Sequence, residues 1–195
     1  MRHRFVFAPI YTTPIRKSDS WYSPVNLALS GWQISGITTL ATGFPFDISY
    51  DGFTSSNSLY CSINNTFYAC PDVPVQVAPL ARQNLRATRT SNGSAVAFLT
   101  SSFAPEPIGS FGNVHRNPYH GPGLNFTNII VAKNFNVSAD GVRRLQLRLE
   151  SDDVFNHTNF ANPDGSFTDG TFGQISTVNS QVPGRQTQIS GKFYF

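Results

Sequence analysis

The feature that most restricts the fold is the alternation in the last eleven residues, Arg185 to Phe195, which read R-Q-T-Q-I-S-G-K-F-Y-F. Phe195, Phe193, Gly191, Ile189 and Thr187 are apolar, small or weakly polar, whereas Tyr194, Lys192, Ser190, Gln188 and Gln186 are polar or amphipathic. Side chains along a strand point to opposite faces in turn, so this segment carries one apolar and one wet face. Two architectures accept such a strand. A soluble sandwich packs the apolar face on a core, and a transmembrane barrel turns it to lipid with water on the other side. Length favours the barrel, because a tilted strand of about 9–11 residues crosses a bilayer. The chain also stops on an aromatic residue with no polar tail.

Composition agrees with an all-β chain. Charged residues make up only 13%, aromatics reach 13% with 17 Phe, and 15 Gly and 13 Pro supply turns, a balance that favours strands and turns over helices. A mean hydropathy of −0.20 conceals any membrane signal, as it must when lipid-facing and lumen-facing residues alternate. No apolar run approaches the roughly 18 residues of a transmembrane helix. The net charge of +3 is scattered with no Lys/Arg block, which argues against nucleic acid as a partner. The opening M-R-H-R-F-V-F-A-P-I-Y has too short an apolar run, broken by Pro9, for a secretory signal. An export signal is therefore expected upstream, and the chain is expected to be a piece of a longer gene.

Four further stretches alternate. Residues 3–12 set Phe5, Phe7 and Tyr11 against Arg4, Val6, Ala8 and Ile10, with Pro9 awkward inside a strand. Residues 31–43 set Trp32, Ile34, Gly36, Thr38 and Leu40 against Gln33, Ser35, Ile37, Thr39 and Ala41. Trp32 near the strand start suits an interfacial aromatic girdle, and a sandwich core would also accept it. Residues 124–137 set Ile129, Val131 and Phe135 against Asn128, Ile130 and Asn134, followed by the tight-turn pair Asp140-Gly141. Residues 143–155 contain the cleanest pattern, R-L-Q-L-R-L-E, with Leu145, Leu147 and Leu149 opposite Arg144, Gln146, Arg148 and Glu150.

Between these strands the connections differ in length. Residues 13–30 form a connector in which Ser23-Pro24 can open a helical turn. Residues 44–123 and 156–184 read as long irregular loops, with short strands expected near 45–50 and 94–99. Structureless loops of this length are uncommon in compact soluble domains, whereas membrane barrels have long loops at one end and short turns at the other.

Catalytic patterns are missing. No G-x-S-x-G elbow or phosphate-binding loop occurs. His115 and His120 flank Pro118 without ligand spacing, His3 and His157 stand alone, and Glu150, Asp152 and Asp153 read as a hydrated strand end. No enzyme activity and no cofactor are expected. Cys61 and Cys70, in C-S-I-N-N-T-F-Y-A-C, suit a loop-closing disulfide in an oxidising compartment, with Asn64-Asn65 as a turn inside the ring.

Three stretches together resemble one family. G-W-Q-I-S-G-I-T-T-L-A-T-G-F-P-F (31–46) is similar to the G-W-Q-hydrophobic-S-G-I…S/T-G-F-P-F segment of TonB-dependent outer-membrane receptors. G-S-F-G-N-V-H-R-N-P-Y-H-G-P-G-L-N-F (109–126) resembles their F-G-N-x-x-R-N-x-x-x-G-P-G-x-x-N segment. L-R-L-E-S-D-D-V-F-N-H-T-N-F-A-N-P (147–163) resembles their L-R-x-E-x-F-N-x-F-N-H-x-N-F-x-x-P segment. The match is nearest to the large acidobacterial Oar-like receptors, which carry a carboxypeptidase-regulatory-like domain. The terminal strand, with Gly191, Phe193 and Phe195, resembles the assembly signal of bacterial outer-membrane barrels. Two departures stand out. Nothing here corresponds to the family's plug, TonB-contacting segment or regulatory domain, and Asp152-Asp153 replace its usual Ala or Phe-Asn.

The resemblance implies an antiparallel, curved, partial transmembrane β-barrel, the last five or so strands of a barrel of about 22. Loops 44–123 and 156–184 would then lie outside the cell. Implied partners are outer-membrane lipid, the remaining barrel and plug, the barrel assembly machinery and the TonB system reached through the plug. An extracellular small molecule or glycan, such as a scarce nutrient or metal chelate, would be the substrate. Tyr50, Phe53, Tyr60, Phe67 and Tyr68 would be its loop contacts. A secreted soluble β-sandwich that binds glycans or mediates adhesion, and a non-functional gene fragment, stand as alternatives. Five strands are too few for the smallest bacterial barrels of about eight, so an open sheet with two bare edges is expected.

Overall fold

The computed structural model describes residues 2–14, 23–49, 61–63, 66–68, 73–107, 110–138, 142–182 and 184–195. In chain order the strands begin with β1 (Arg4–Phe7) and β2 (Ile10–Thr12), followed by one helical turn, α1 (Pro24–Leu29), and then β3 (Trp32–Ala41). Seven short strands follow: β4 (Pro45–Phe46), β5 (Cys61–Ile63), β6 (Thr66–Tyr68), β7 (Val75–Gln76), β8 (Ala95–Val96), β9 (Phe103–Ala104) and β10 (Tyr119–His120). The chain then forms β11 (Leu124–Asn136), β12 (Arg144–Asp152), the short β13 (Gln174–Ile175) and β14 (Gln186–Tyr194). Two compact units result.

The first unit, His3–Ala41 with Leu124–Asn159 and Ser180–Phe195, holds a six-stranded sheet. Its order is β1–β3–β11–β12–β14, with β2 also on β3, and every pairing is antiparallel. Each long strand thus neighbours the next one in the chain. β1 and β2 act as one edge strand interrupted at Ala8-Pro9. The register is the same on both sides of the break, Phe7 facing Thr38 and Ile10 facing Ser35. The Gly36 N–H still donates to the Pro9 carbonyl at 3.1 Å. Proline lacks only the donor, and an edge strand tolerates that loss. Helix α1 starts at Pro24, whose fixed φ suits the first helical turn. The sheet is open, and β1/β2 and β14 are its two edges. Among the described residues no helix is long and apolar enough to cross a membrane.

The second unit, Met1–Arg2 with Thr42–Gly123 and Phe160–Asn179, changes the picture of the two loops. Read as irregular from sequence, they fold with each other around a core of Phe46, Ile48, Phe98, Phe103, Val114, Tyr119 and Phe172. The Phe98 ring stacks on Phe46 at 6.1 Å and meets Phe172 edge-on at 5.3 Å. Short pairings stitch the segments: β4 with β10, β7 with β9, and β8 with β13. The strands expected near 45–50 and 94–99 correspond to β4 and β8. Glycines permit close backbone approach here. A Cβ on Gly43 would lie 1.9 Å from the Gly121 carbonyl oxygen, and one on Gly165 would lie 2.1 Å from that of Asp47. The aromatics of this core are scattered among turn residues without a period, so no local pattern announces the unit.

Candidate functional site

Opposed residues of an antiparallel pair project from the same face, and the register carries this across the whole sheet. One ladder runs Tyr11–Ile34–Val131–Leu149–Ile189. Beside it run Trp32–Lys133–Leu147–Gly191 and Phe135–Leu145–Phe193. Phe5 opposes Leu40 on this face, and Phe7 opposes Thr38. Thr38 Oγ1 and Thr127 Oγ1 lie 3.0 Å apart, which satisfies both hydroxyls within the apolar surface. Every apolar parity expected from sequence therefore lands on one side.

The other side is polar over β11, β12 and β14. Its ladders are Ala132–Arg148–Ser190, Asn134–Gln146–Lys192 and Ile130–Glu150–Gln188. Gln146 Nε2 donates to Asn134 Oδ1 at 2.9 Å, Gln188 Nε2 donates to Glu150 Oε2 at 2.6 Å, and Arg148 pairs with Glu150. Arg144 lies 4.4 Å and Lys192 4.9 Å from the Tyr194 ring centre. Such a connected network belongs against water.

Most of the apolar side is uncovered. Ile189 is 80% exposed, Tyr11 65%, Phe5 60% and Ile34 45%. A patch this broad is not a surface that a water-soluble monomer leaves bare. The soluble sandwich would require a second sheet packed over it, and among the described residues the sheet unit holds one sheet. With 10, 13, 9 and 9 residues, β3, β11, β12 and β14 have the length of membrane-crossing strands. The apolar side is therefore the lipid face and the polar side the lumen face.

A family model for an outer membrane beta barrel domain matches residues 1–188. The chain belongs to the outer membrane β-barrel domain family. The protein is accordingly an outer-membrane barrel protein, and the sheet is part of a barrel wall. No curated protein and no solved structure matches the chain.

Of the expected assembly residues of this barrel domain, Gly191 and Phe193 stand on the lipid face of β14 and Phe195 follows the strand. Phe193 stacks with Phe195 at 6.3 Å, and Phe195 is 95% exposed. Steric need does not explain Gly191, since a Cβ there would meet Leu147 Cδ2 at an ordinary 3.6 Å. Cys61 lies in β5 and Phe67 and Tyr68 in β6, which pair antiparallel with Ile63 opposite Thr66. Cys70, Tyr50, Phe53, Tyr60, Asn64 and Asn65 fall outside the described residues, so the expected disulfide and ligand contacts have no structural description. Among the described residues no group of three or more His, Cys, Asp or Glu could hold a metal ion.

Three features escaped the sequence reading. Lys133 shares the lipid face with Trp32 and Phe135, although its parity was legible beside Val131. The F-N-H-T-N stretch proves to be a backbone clasp. Asn159, 3% exposed, accepts from the Asn125 N–H at 2.8 Å and donates to the Asn125 carbonyl at 3.1 Å, as a neighbouring strand would. Asn156 accepts from the Arg185 N–H at 3.2 Å, which anchors the start of β14. Asp153, 2% exposed at φ 42°, has both carboxylate oxygens buried without a hydrogen-bond partner among the described residues. Its main chain is satisfied, with N–H to Asn128 Oδ1 at 3.1 Å and carbonyl to the Asn156 N–H at 2.7 Å.

In the loop unit a hollow of about 120 Å³ is lined by Phe46, Leu80, Arg82, Phe98, His120 and Pro122, among others. Partial burial lowers the His120 pKa from its usual 6.5, and Arg2 and Arg82 lower it further. Burial raises that of Tyr119, whose hydroxyl donates to Gln76 Oε1 at 2.8 Å.

Proposed function

We propose that this barrel wall belongs to a TonB-dependent transporter that takes up a scarce nutrient, a metal chelate or a glycan, across the outer membrane. The sheet contributes lumen-lining polar residues on β11, β12 and β14, and the loop unit forms part of the substrate-facing outer surface. The observation that carries the reading is an asymmetry of the sheet ends. β3 and β12 run into the two long segments, and β11 and β14 begin where those segments return. At the other end seven residues, 137–143, connect β11 to β12. An outer-membrane transporter places its elaborated connections outside the cell, where ligand arrives, and its restrained turns in the periplasm.

The three segments that resemble TonB-dependent receptors support the same reading. They supply β3 with β4, the approach to β11, and the Asn156–Asn159 clasp. The two edges of the sheet would be closed by further strands, since an open edge in lipid leaves backbone groups unsatisfied at several kcal/mol each. A plug would fill the lumen and contact TonB, and the barrel assembly machinery would read the Gly191, Phe193 and Phe195 edge. Tyr50, Phe53, Tyr60, Phe67 and Tyr68 are the proposed substrate contacts.

The test is uptake. Cells expressing the complete reading frame that includes this chain are given labelled ferric chelates and oligosaccharides, with and without a functional TonB. Accumulation that requires both the chain and TonB supports the reading. Accumulation that persists without TonB, or passive conductance of the purified barrel for small solutes, overturns it.

A further inference from the structure

The lipid face is not uniformly apolar. A groove of about 550 Å³ opens between α1 and the sheet, lined among others by Ala28, Trp32, Val131, Leu147 and Ile189, with Lys133 at its side and Arg148, whose guanidinium is paired with Glu150, at its margin. Lys133 is only 6% exposed, and its register with Trp32 and Leu147 places it on the lipid face. Its ammonium lies 4.7 Å from the Trp32 ring centre and 5.6 Å from that of Phe135. Nζ donates to the Ala28 carbonyl at 3.2 Å and also to the Ser30 carbonyl. The Trp32 Nε1 donates to the same Ala28 carbonyl at 2.7 Å.

A cation on the hydrocarbon side of a barrel is costly unless something offsets its charge. Carbonyl dipoles and ring faces offset part of it. The salt bridge between Arg148 and Glu150 does not involve it, and no carboxylate pairs with it among the described residues. An ammonium has three N–H donors, and the two carbonyls take two. Lys133 stands three residues before the end of β11, about 10 Å of strand, at the end carrying the short 137–143 connection. That depth is the headgroup region, where amphipathic aromatics and lysines gather. Every phospholipid headgroup there carries a phosphate that can accept the remaining N–H, and the adjoining groove offers an apolar bed for a hydrocarbon chain.

We propose that the groove between α1 and β11–β12 binds one anionic phospholipid, its phosphate on Lys133 Nζ and an acyl chain along Val131, Leu147, Leu149 and Ile189. The site rests on the lipid-facing placement of the sheet and not on transport. Trp32 reports on it directly. With Trp21→Phe as background, the full chain in mixed micelles is titrated with phosphatidylglycerol or phosphatidylcholine brominated on the acyl chains, and Trp32 quenching is followed. The apparent affinity for the anionic lipid should be about fivefold higher, the ratio expected for one lysine at an anionic surface. Lys133→Arg should keep that preference and Lys133→Gln should remove it.

Equal quenching by both lipids, or a preference that survives Lys133→Gln, overturns the site while leaving the lipid face intact. Absence of quenching by either lipid overturns both. A measurement free of variants is native mass spectrometry of the unaltered chain from equimolar mixed micelles. It should retain one phosphatidylglycerol in preference to phosphatidylcholine, and indiscriminate retention would overturn the proposal.

Discussion

Replacing Leu149 by Arg tests the assignment of the faces most directly. Leu149 lies within the nine-residue β12, with Val131 on one neighbouring strand and Ile189 on the other. Leu145 and Leu147 precede it on the same face. It is 43% exposed, so the side chain has room and the substitution creates no clash. The whole effect is then the transfer of a guanidinium into hydrocarbon. For a lipid-facing site near the bilayer midplane this destabilises a barrel by about 2–4 kcal/mol, falling to about 0–1 near the interfaces. Leu149 lies one register step, about 7 Å of strand, deeper than the Leu147–Lys133 pair, so an intermediate figure of about 1–3 kcal/mol applies. The control is Gln188→Arg on the opposite face. There the new guanidinium replaces an amide that already donates to Glu150 Oε2 at 2.6 Å, and a change within about 0.5 kcal/mol is expected. Urea titration of the chain in phospholipid vesicles, followed by Trp32 fluorescence in a Trp21→Phe background, reads both. A Leu149→Arg effect no larger than that of Gln188→Arg would refute the assignment of lipid and lumen faces.

Three further outcomes follow from the geometry. Asp153→Asn removes a buried carboxylate without partners at a φ of 42°, a conformation Asn tolerates well. Stability should rise by about 1–3 kcal/mol in the same urea titration, and a loss would show that the carboxylate has a partner. Gly43→Ala places a methyl 1.9 Å from the Gly121 carbonyl oxygen. The backbone must part there, at about 1–3 kcal/mol, so proteolysis within 73–123 should accelerate while the sheet stays protected. The lowered pKa of His120 means that the unfolded chain takes up this proton more readily than the folded one. Its contribution is present above pH about 6.5 and is lost as the pH falls through the lowered folded value. His120→Gln should flatten the acid side of the loop unit's melting profile, and an unchanged profile would refute the linkage.

The strands were readable because a period of two is a local property. Each long strand carries its own alternation, and the Pro9 interruption and the helical turn at Pro24 are signalled by single residues. The unit that 44–123 and 156–184 build together was not readable. Phe46, Phe98, Phe103, Tyr119 and Phe172 meet from distant points of turn-rich sequence, and contacts between distant residues leave no period to find. The Asn159 clasp on Asn125 was hidden for the same reason.

What the sequence determined by itself is that each strand has an apolar and a polar face, since alternation is imposed by backbone geometry one residue at a time. Only the tertiary structure decided that all the apolar faces coincide. A slip of one residue in any pairing would have sent a strand's apolar set to the lumen side. The observed registers instead align Tyr11, Ile34, Val131, Leu149 and Ile189 in one row. The same alignment put Lys133 among the lipid-facing residues and left its charge to the carbonyls of Ala28 and Ser30, a juxtaposition set by how α1 meets β11, beyond the reach of any local pattern.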